Sequence, residues 1–299
     1  DRRVRAAAID ALDQHGTASL ERVIAELSDV DLDSAAEWVT ARAFVEALSD
    51  DRPELRMAAA SGLGRIGDSD ATSALVERLA DPDSRVRTRS AVACGRIGDP
   101  RAVEALETRL REDSSVDVRR AAADALGEIG TEGAMGVLLE SDDDSVTVRR
   151  VVADALGQFG SVEPVDALVE FLDDGDETVR RTAMFSLVET LSNAPQQRSH
   201  DVRNAAADRL GSATSEVVAP PLSEILTESS GAPQRRNAAW LLGRVVGDQS
   251  DETARTALVS ALGDDDAMTA QFAATSLARR SDPALESELL AMSTDPNAA

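Results

Sequence analysis

The chain has 299 residues, an apolar share of 42%, only 2% aromatic residues and a formal net charge of −24. So large an acidic excess argues against nucleic acid as a partner, because phosphate contacts need clustered basic side chains. A single cysteine excludes an intrachain disulfide, and no apolar run approaches the roughly 18 residues that a membrane-spanning helix needs.

The basic residues are unusual, since all 31 are arginine and lysine is absent. This composition is typical of proteins that work in molar salt, where repulsion between surface carboxylates is screened within about 3 Å. We therefore expect a cytoplasmic protein of an extremely halophilic archaeon. The first residues do not resemble a signal peptide. An ordinary acidic protein that lacks lysine by chance is the alternative.

Residues 1–49 predict N-terminal helices that form irregular first repeats. The segment Arg2–Leu12 matches the second helix of a repeat without its partner helix, and the chain starts without methionine. We therefore expect a fragment of a longer protein. A further helical pattern covers Ala35–Leu48, where Trp38 and Phe44 are expected in the core.

Residues 50–191 contain a regular repeat. One arginine recurs at intervals of 31, 32, 30 and 31 residues, at Arg56, Arg87, Arg119, Arg149 and Arg180. A period of this length is the signature of stacked supersecondary units. The rest of the chain predicts an irregular helical insertion at 192–229, followed by C-terminal repeats and an end cap at 230–299.

Each regular repeat predicts two helices. In one of them Asp99-Pro100 predicts a helix start, since proline lacks only an N–H that the first turn leaves unbonded. A second helix is expected at Val116–Ile129, and Gly130 is expected to end it at positive φ. The predicted fold is therefore all-α, a right-handed α-solenoid of helical hairpins.

The motif D-x-x-x-x-V-R-x-x-A-A-x-A-L-G-x-I-G resembles HEAT repeats, and most closely the HEAT-like repeats of the phycobilisome-lyase type. The resemblance implies a structural ladder that links turn acids and helix arginines through the stack. Its predicted members are the pairs Asp50 and Arg56, Asp81 and Arg87, Asp113 and Arg119, Asp143 and Arg149, and Asp174 and Arg180. At Arg203 and Arg235 the acid is replaced by Gln197 and Ser229, which puts the ladder in question there.

A second set of positions predicts an exposed surface, which we call the ridge. It consists of the residues one, five and nine places after each ladder arginine, opposite the core face of the second helices. In solenoids of this kind the second helices line the concave side. The ridge residues proposed to bind a partner are Arg65, Arg96, Arg120, Arg150, Phe185, Arg181, Arg236 and Trp240.

Two interpretations of the ridge stay open. It is either an arginine-rich groove, anchored by Phe185 or Trp240, or a row in which arginines such as Arg120 and Arg150 pair with neighbouring acids. Aromatic and arginine side chains are the usual anchors of interfaces. Alternatively, the two aromatic residues belong to the core.

The sequence favours a non-enzymatic scaffold or adaptor that binds another protein. It predicts no catalytic residue, metal or cofactor, because it has only two histidines and neither lies in the His-Glu motif of metal-dependent HEAT enzymes. The resemblance also implies an alternative, a phycobilin-lyase-like or other chromophore-handling role. A further alternative is nucleic-acid binding through an arginine-lined groove.

Overall fold

The computed structural model describes residues 37–211, 214–246 and 251–279, together with the isolated residues 11 and 19. The repeat-like segment at the N-terminus and the side chain of Trp38 lie outside this description. Within it, the secondary structure is α-helix and short 3₁₀-helix without a strand, so the predicted all-α solenoid of HEAT-like hairpins is confirmed. The chain divides into two compact units, residues 1–156 (unit 1) and 157–299 (unit 2).

Unit 1 contains seven described helices and most of an eighth, whose last residue is Gly157. They are α1 (Glu37–Ala47), α2 (Pro53–Ile66), α3 (Thr72–Arg78), α4 (Ser84–Ile97), α5 (Val103–Glu112), α6 (Val116–Ile129), α7 (Glu132–Leu139) and α8 (Val146–Gly157). Short 3₁₀-helices precede α3 and α5, at Ser69–Ala71 and Pro100–Ala102.

Local sequence sets the ends of these helices. The side chain of Asp99 accepts a hydrogen bond from the N–H of Arg101, which caps the 3₁₀ turn leading into α5. Gly67, Gly98 and Gly130 end α2, α4 and α6 in the left-handed region, with φ of 75°, 73° and 66°. The predicted helix Val116–Ile129 and its glycine stop are therefore confirmed.

The second helices of the repeats, α2, α4 and α6, pack against one another through small residues. A Cβ added at Gly95 would lie 2.8 Å from the Cα of Ala125, and one at Gly64 would lie 2.8 Å from the Cα of Ala93. The backbones can approach this closely only because glycine has no side chain. Phe44, predicted in the core, is 1% exposed.

Unit 2 contains seven further described helices. They are α9 (Glu163–Glu170), α10 (Glu177–Asn193), α11 (Ser199–Leu210), α12 (Ser215–Glu228), α13 (Ala232–Val245), α14 (Glu252–Ser260) and α15 (Ala267–Ala278), with 3₁₀-helices at Phe171–Asp173 and Ala261–Gly263. Pro220 and Pro221 lie inside α12.

Hairpins form in unit 2 from α9 with α10, α12 with α13, and α14 with α15. The second helices α10 and α15 both pack on α13, while α11 contacts α9, α10 and α13. Gly243 in α13 faces Ser276 in α15, repeating the small-residue contact of unit 1. The boundaries predicted for the insertion at 192–229 and for its flanking segments stay a prediction.

Candidate functional site

A ladder of arginine–aspartate pairs joins consecutive repeats of unit 1. Arg56 donates from Nε and Nη2 to the carboxylate of Asp81, at 2.7 and 2.9 Å, and from Nη1 to the main-chain carbonyl of Asp50, at 2.8 Å. The acid six residues before the arginine thus contributes its carbonyl, and the carboxylate comes from the next repeat. The same contacts recur for Arg87 with Asp113 and the carbonyl of Asp81, and for Arg119 with Asp143 and the carbonyl of Asp113.

The ladder pairs are shielded from solvent. The side chain of Asp113 is 1% exposed and that of Arg87 is 13% exposed. Burial alone would raise the pKa of Asp113, but the hydrogen bonds from Arg87 and from the N–H of Ser115 lower it overall. The hydrogen bond to Asp113 raises the pKa of Arg87. These ion pairs fix the guanidinium groups of the ladder arginines inside the fold.

The ladder also forms at Arg235, where the sequence put it in question. Arg235 donates to the carboxylate of Asp264 at 2.7 and 2.9 Å, and to the carbonyl of Ser229 at 3.0 Å. The position six residues before an arginine gives that arginine only a carbonyl, so Arg235 does not need an acid there. Arg149 and Arg180 likewise donate to the carbonyls six residues before them, those of Asp143 and Asp174.

Arg203 has a different environment. It is half-buried, and its Nε donates to the amide oxygen of Asn237 at 3.1 Å. The amide nitrogen of Asn237 donates in turn to the hydroxyl of Ser192 at 3.0 Å. Burial lowers the pKa of Arg203. A neutral amide from helix α13 therefore accepts the hydrogen bond that a turn carboxylate accepts at the ladder arginines.

Most of the predicted ridge is exposed or half-buried, but its N-terminal end is not. Met57 and Ser61 in α2 are 2% and 3% exposed, so their predicted exposure is wrong. Met57 belongs to a core cluster with Val86 of α4, and α1 packs against α2. Arg65, at the last turn of α2, is exposed.

In unit 1 the ridge carries three arginines that make no hydrogen bond and lie more than 4.0 Å from every carboxylate among the described residues. They are Arg96 in α4, Arg120 in α6 and Arg150 in α8. Arg96 is exposed and the other two are half-buried. Every other arginine in the described part of this unit engages another residue. The unpaired arginines in the described part of unit 1 therefore all lie on one predicted surface.

Acidic residues stand among these arginines. Partial burial raises the pKa of Asp124, the charges of Arg120 and Arg150 lower it, and the charge of Asp154 raises it. Partial burial and the charge of Asp124 likewise raise the pKa of Glu128, against the charge of Arg96. Around Arg96, Arg120 and Arg150 the ridge is thus a mixed surface, on which opposite charges lie near one another without forming ion pairs.

In unit 2 the counterparts of Arg120 and Arg150 are paired, whereas Arg244, the counterpart of Arg96, is exposed and has no hydrogen bond or ion pair from its side chain to a described residue. Arg181 in α10 forms a salt bridge with Glu224 of α12, and Arg236 in α13 donates from Nε to Asp266 at 2.6 Å. Phe185 is 42% exposed and Trp240 is half-buried, so the structure places Phe185 on the surface. Neither aromatic residue is part of a fully closed core.

A residue that the sequence analysis missed explains part of this difference. Asp266 follows the ladder acid Asp264 by two places, and its N–H donates to that acid at 2.8 Å. The equivalent residue for Arg120 is Ser145, whose N–H donates to Asp143 at 2.8 Å. The two sites share their local geometry, but only Asp266 brings a carboxylate. Comparing the repeats at this position would have revealed it.

Among the described residues, the other candidate groups do not come together in a site. Cys94 is buried, and burial raises the pKa of its thiol to about 12. His200 is exposed, with its Nδ1 2.9 Å from the side-chain nitrogen of Asn204, and His15 lies outside the described residues. The described part of the chain holds no cluster of side chains suited to a metal ion. None of its helices is long and apolar enough to cross a bilayer.

Comparisons with known proteins agree with this architecture. The profile of the HEAT-repeat family matches residues 41–127 and 103–188. The HEAT repeat-containing taxis protein of Halobacterium salinarum is 44% identical over 97% of this chain and 71% of its own length.

Two solved structures are similar to this chain at low identity, and the first shares its fold. An engineered protein is 19% identical, with a TM-score of 0.52 over 92% of this chain and 78% of its own. The complex of CpcE and CpcF of phycocyanin lyase from Nostoc is 19% identical, with a TM-score of 0.46 over 84% of this chain and 97% of that one. The first likeness concerns the fold alone, and the second is too weak to bear on activity.

Proposed function

Because the chain belongs to the HEAT-repeat family, we propose that it is a non-enzymatic scaffold that binds a partner protein along its ridge. Repeat proteins of this type expose extended surfaces that suit such binding. The observation that supports the proposal most directly is the set of unpaired arginines Arg96, Arg120 and Arg150 on the ridge of unit 1.

The abundance of acids makes this observation informative. The chain carries 55 acidic residues against 31 arginines, so an arginine has many possible partners. Side chains that stay unpaired under these conditions, and that lie on one surface, are available to a ligand. Binding of this kind requires donors and contact area, and no further chemistry.

The relative from Halobacterium salinarum is named a taxis protein, and we propose a role in taxis for this chain as well. The acidic, lysine-free composition favours a salt-rich cytoplasm as the place where the scaffold works. Both statements rest on resemblance and composition.

The proposal is tested by cross-linking the chain to its partners in native extract at molar potassium chloride. The variant Arg96→Gln/Arg120→Gln/Arg150→Gln removes the three ridge charges. Its matched control, Arg42→Gln/Arg101→Gln/Arg111→Gln, removes three charges from exposed ion pairs elsewhere in unit 1. We expect the ridge variant to lose a cross-linked protein that the control retains. Equal recovery with both variants would contradict the proposal.

A further inference from the structure

The structure points to the chemistry of the partner, an inference that rests on the proposed function. We infer that the ridge of unit 1 binds an acidic, extended protein segment. Arg120 and Arg150 hold the carboxylates of this segment, and Arg96 provides a third positive charge. The occupant is thus a peptide of another protein with regularly placed aspartate or glutamate residues.

The first argument is the state of the guanidinium groups. Arg120 and Arg150 occupy the same place, one residue after their ladder arginines, on successive second helices. Neither makes a hydrogen bond or an ion pair with another described residue. A guanidinium presents its donors as a planar fork that matches a carboxylate with two parallel hydrogen bonds. The open forks therefore fit carboxylates.

The second argument comes from what happens when a carboxylate is within reach. In unit 2 the equivalent Arg236 binds Asp266 through Nε and Nη2, so this position readily accepts a bidentate carboxylate. In unit 1 the corresponding residue beside Arg120 is Ser145, which has no charge. A carboxylate supplied by a partner would take the place that Asp266 takes in unit 2.

The third argument separates a protein segment from a nucleic acid. Asp124, Asp154 and Glu128 stand on the same ridge, each close enough to the others or to the arginines for their charges to interact. A phosphate backbone carries negative charge at every nucleotide and would meet these acids as well as the arginines. A peptide can place carboxylates opposite the arginines and neutral or donor groups opposite the acids.

The spacing of the partner's carboxylates follows from the spacing of α6 and α8, which lie close enough for the charges of Arg120 and Arg150 both to act on Asp124. Neighbouring packed helices lie about 8–10 Å apart, and an extended peptide rises about 3.3 Å per residue. Carboxylates about three residues apart therefore match Arg120 and Arg150. The left-handed polyproline II conformation, with about three residues per turn, would present all of them on one side.

The test uses the full chain and a fluorescein-labelled peptide that carries glutamate at every third position and serine or alanine between. Binding is followed by fluorescence anisotropy in potassium chloride at several concentrations. The comparison ligands are the same peptide with glutamine in place of glutamate, and a labelled single-stranded DNA. Circular dichroism on each variant shows that it is folded.

Three variants probe the arginines. Arg120→Gln/Arg150→Gln removes the two forks, while Ser145→Asp supplies Arg120 with an internal carboxylate and preserves a good helix-capping residue. Ser115→Asp is the matched control, because it adds the same charge at the equivalent place in the preceding repeat, where Thr88 stands instead of an arginine.

We expect the glutamate peptide to bind about tenfold more weakly to Arg120→Gln/Arg150→Gln and to Ser145→Asp than to the wild type. Ser115→Asp should change its affinity by less than about twofold, and the glutamine peptide and DNA should bind at least about tenfold more weakly than the glutamate peptide.

Several results would overturn the inference. They are equal binding of the glutamate and glutamine peptides, no binding of either, an unchanged affinity in Ser145→Asp, or arginine-dependent binding of DNA at higher affinity than the peptide. If the ridge variant still loses its cross-linked protein while the glutamate peptide fails to bind, the scaffold function stands and only the acidic chemistry of the partner is wrong.

Discussion

The ridges of the two units differ although the same positions of the repeat build them. In unit 1 Arg120 and Arg150 have no ion pair with a described residue, whereas in unit 2 Arg181 and Arg236 are held by acids of neighbouring helices. The difference lies in the surroundings of the arginine, because the arginine itself is common to both. A column of identical residues can therefore be a binding surface in one place and a structural contact in another.

The ladder shows the opposite behaviour at Arg87 and Arg235, which have the same contacts in the two units, while Arg203 is the exception that bonds an amide. Arg87 with Asp113 and Arg235 with Asp264 each combine two carboxylate contacts with two carbonyl contacts. These contacts link the turn of one repeat to the second helix of the preceding repeat. Repetition of these ladder contacts and variety of the ridge are what we expect if the ladder serves stability and the ridge serves recognition.

The largest expected effect is the loss of a ladder carboxylate in unit 1. Asp113→Ala should lower the free energy of unfolding by about 3 kcal/mol, because it leaves the shielded cation of Arg87 without its carboxylate. Asp264→Ala should cost less, since Asp264 and Arg235 are more exposed. Urea denaturation at constant salt measures both. If Asp264→Ala lowered the free energy of unfolding more than Asp113→Ala, the prediction that the ladder of unit 1 contributes more stability would be wrong.

The next largest effect on stability is expected where α4 and α6 pack closely at Gly95. Gly95→Ala should destabilise by about 2 kcal/mol, because the added Cβ would lie 2.8 Å from the Cα of Ala125. Gly136→Ala in α7 is the control, since a Cβ there meets nothing within 4 Å and alanine favours a helix. Thermal unfolding of the two variants should show opposite shifts. A stable Gly95→Ala variant would mean that the stacked helices separate easily.

Opening a paired arginine tests the ridge comparison directly. Asp266→Ser should free Arg236 while keeping a helix cap, so the free energy of unfolding should change little. If pairing alone distinguishes the units, this variant should bind the glutamate peptide more tightly than the wild type, as measured by anisotropy. Unchanged affinity would indicate that unit 2 lacks more than a free guanidinium.

The smallest effect concerns pH, because the pKa shifts of ladder and ridge have opposite signs. The pKa of Asp113 and of Asp264 is lowered, so these acids add stability above about pH 4 that is lost as the pH falls through their folded pKa. The pKa of Asp124 is raised by partial burial, so its ionisation opposes folding at neutral pH.

Asp124→Asn should therefore stabilise the chain at neutral pH by about 0.5 kcal/mol or less, and this gain should vanish in acid as the wild-type carboxyl group becomes protonated. Urea denaturation at both pH values checks the sign. A gain that persists in acid would assign the effect to packing instead of charge.

The regular repeats could be predicted closely because their signals are local. Val116–Ile129 was predicted and found as a helix, and Gly130 ends it at φ of 66°. Helical periodicity and a glycine stop act within one or two turns, so a single sequence carries them. The ladder could be predicted only in part, because the resemblance indicated the members but not that the carboxylate comes from the next repeat.

Tertiary structure decided the surfaces. Arg181 meets Glu224, which lies 43 residues further along the chain, and Met57 is buried in a helix face that the repeat pattern assigns to solvent. Contacts between residues so far apart in sequence depend on which helices pack side by side. The repeat period does not specify these neighbours at the ends of a stack of repeats or near α11 and α12. By itself the sequence determined the repeating helical hairpin, since hydrophobic periodicity and helix caps are short-range. Only the packed chain decided which arginines are left without a carboxylate, since an ion pair requires two side chains from separate helices to come within about 4 Å.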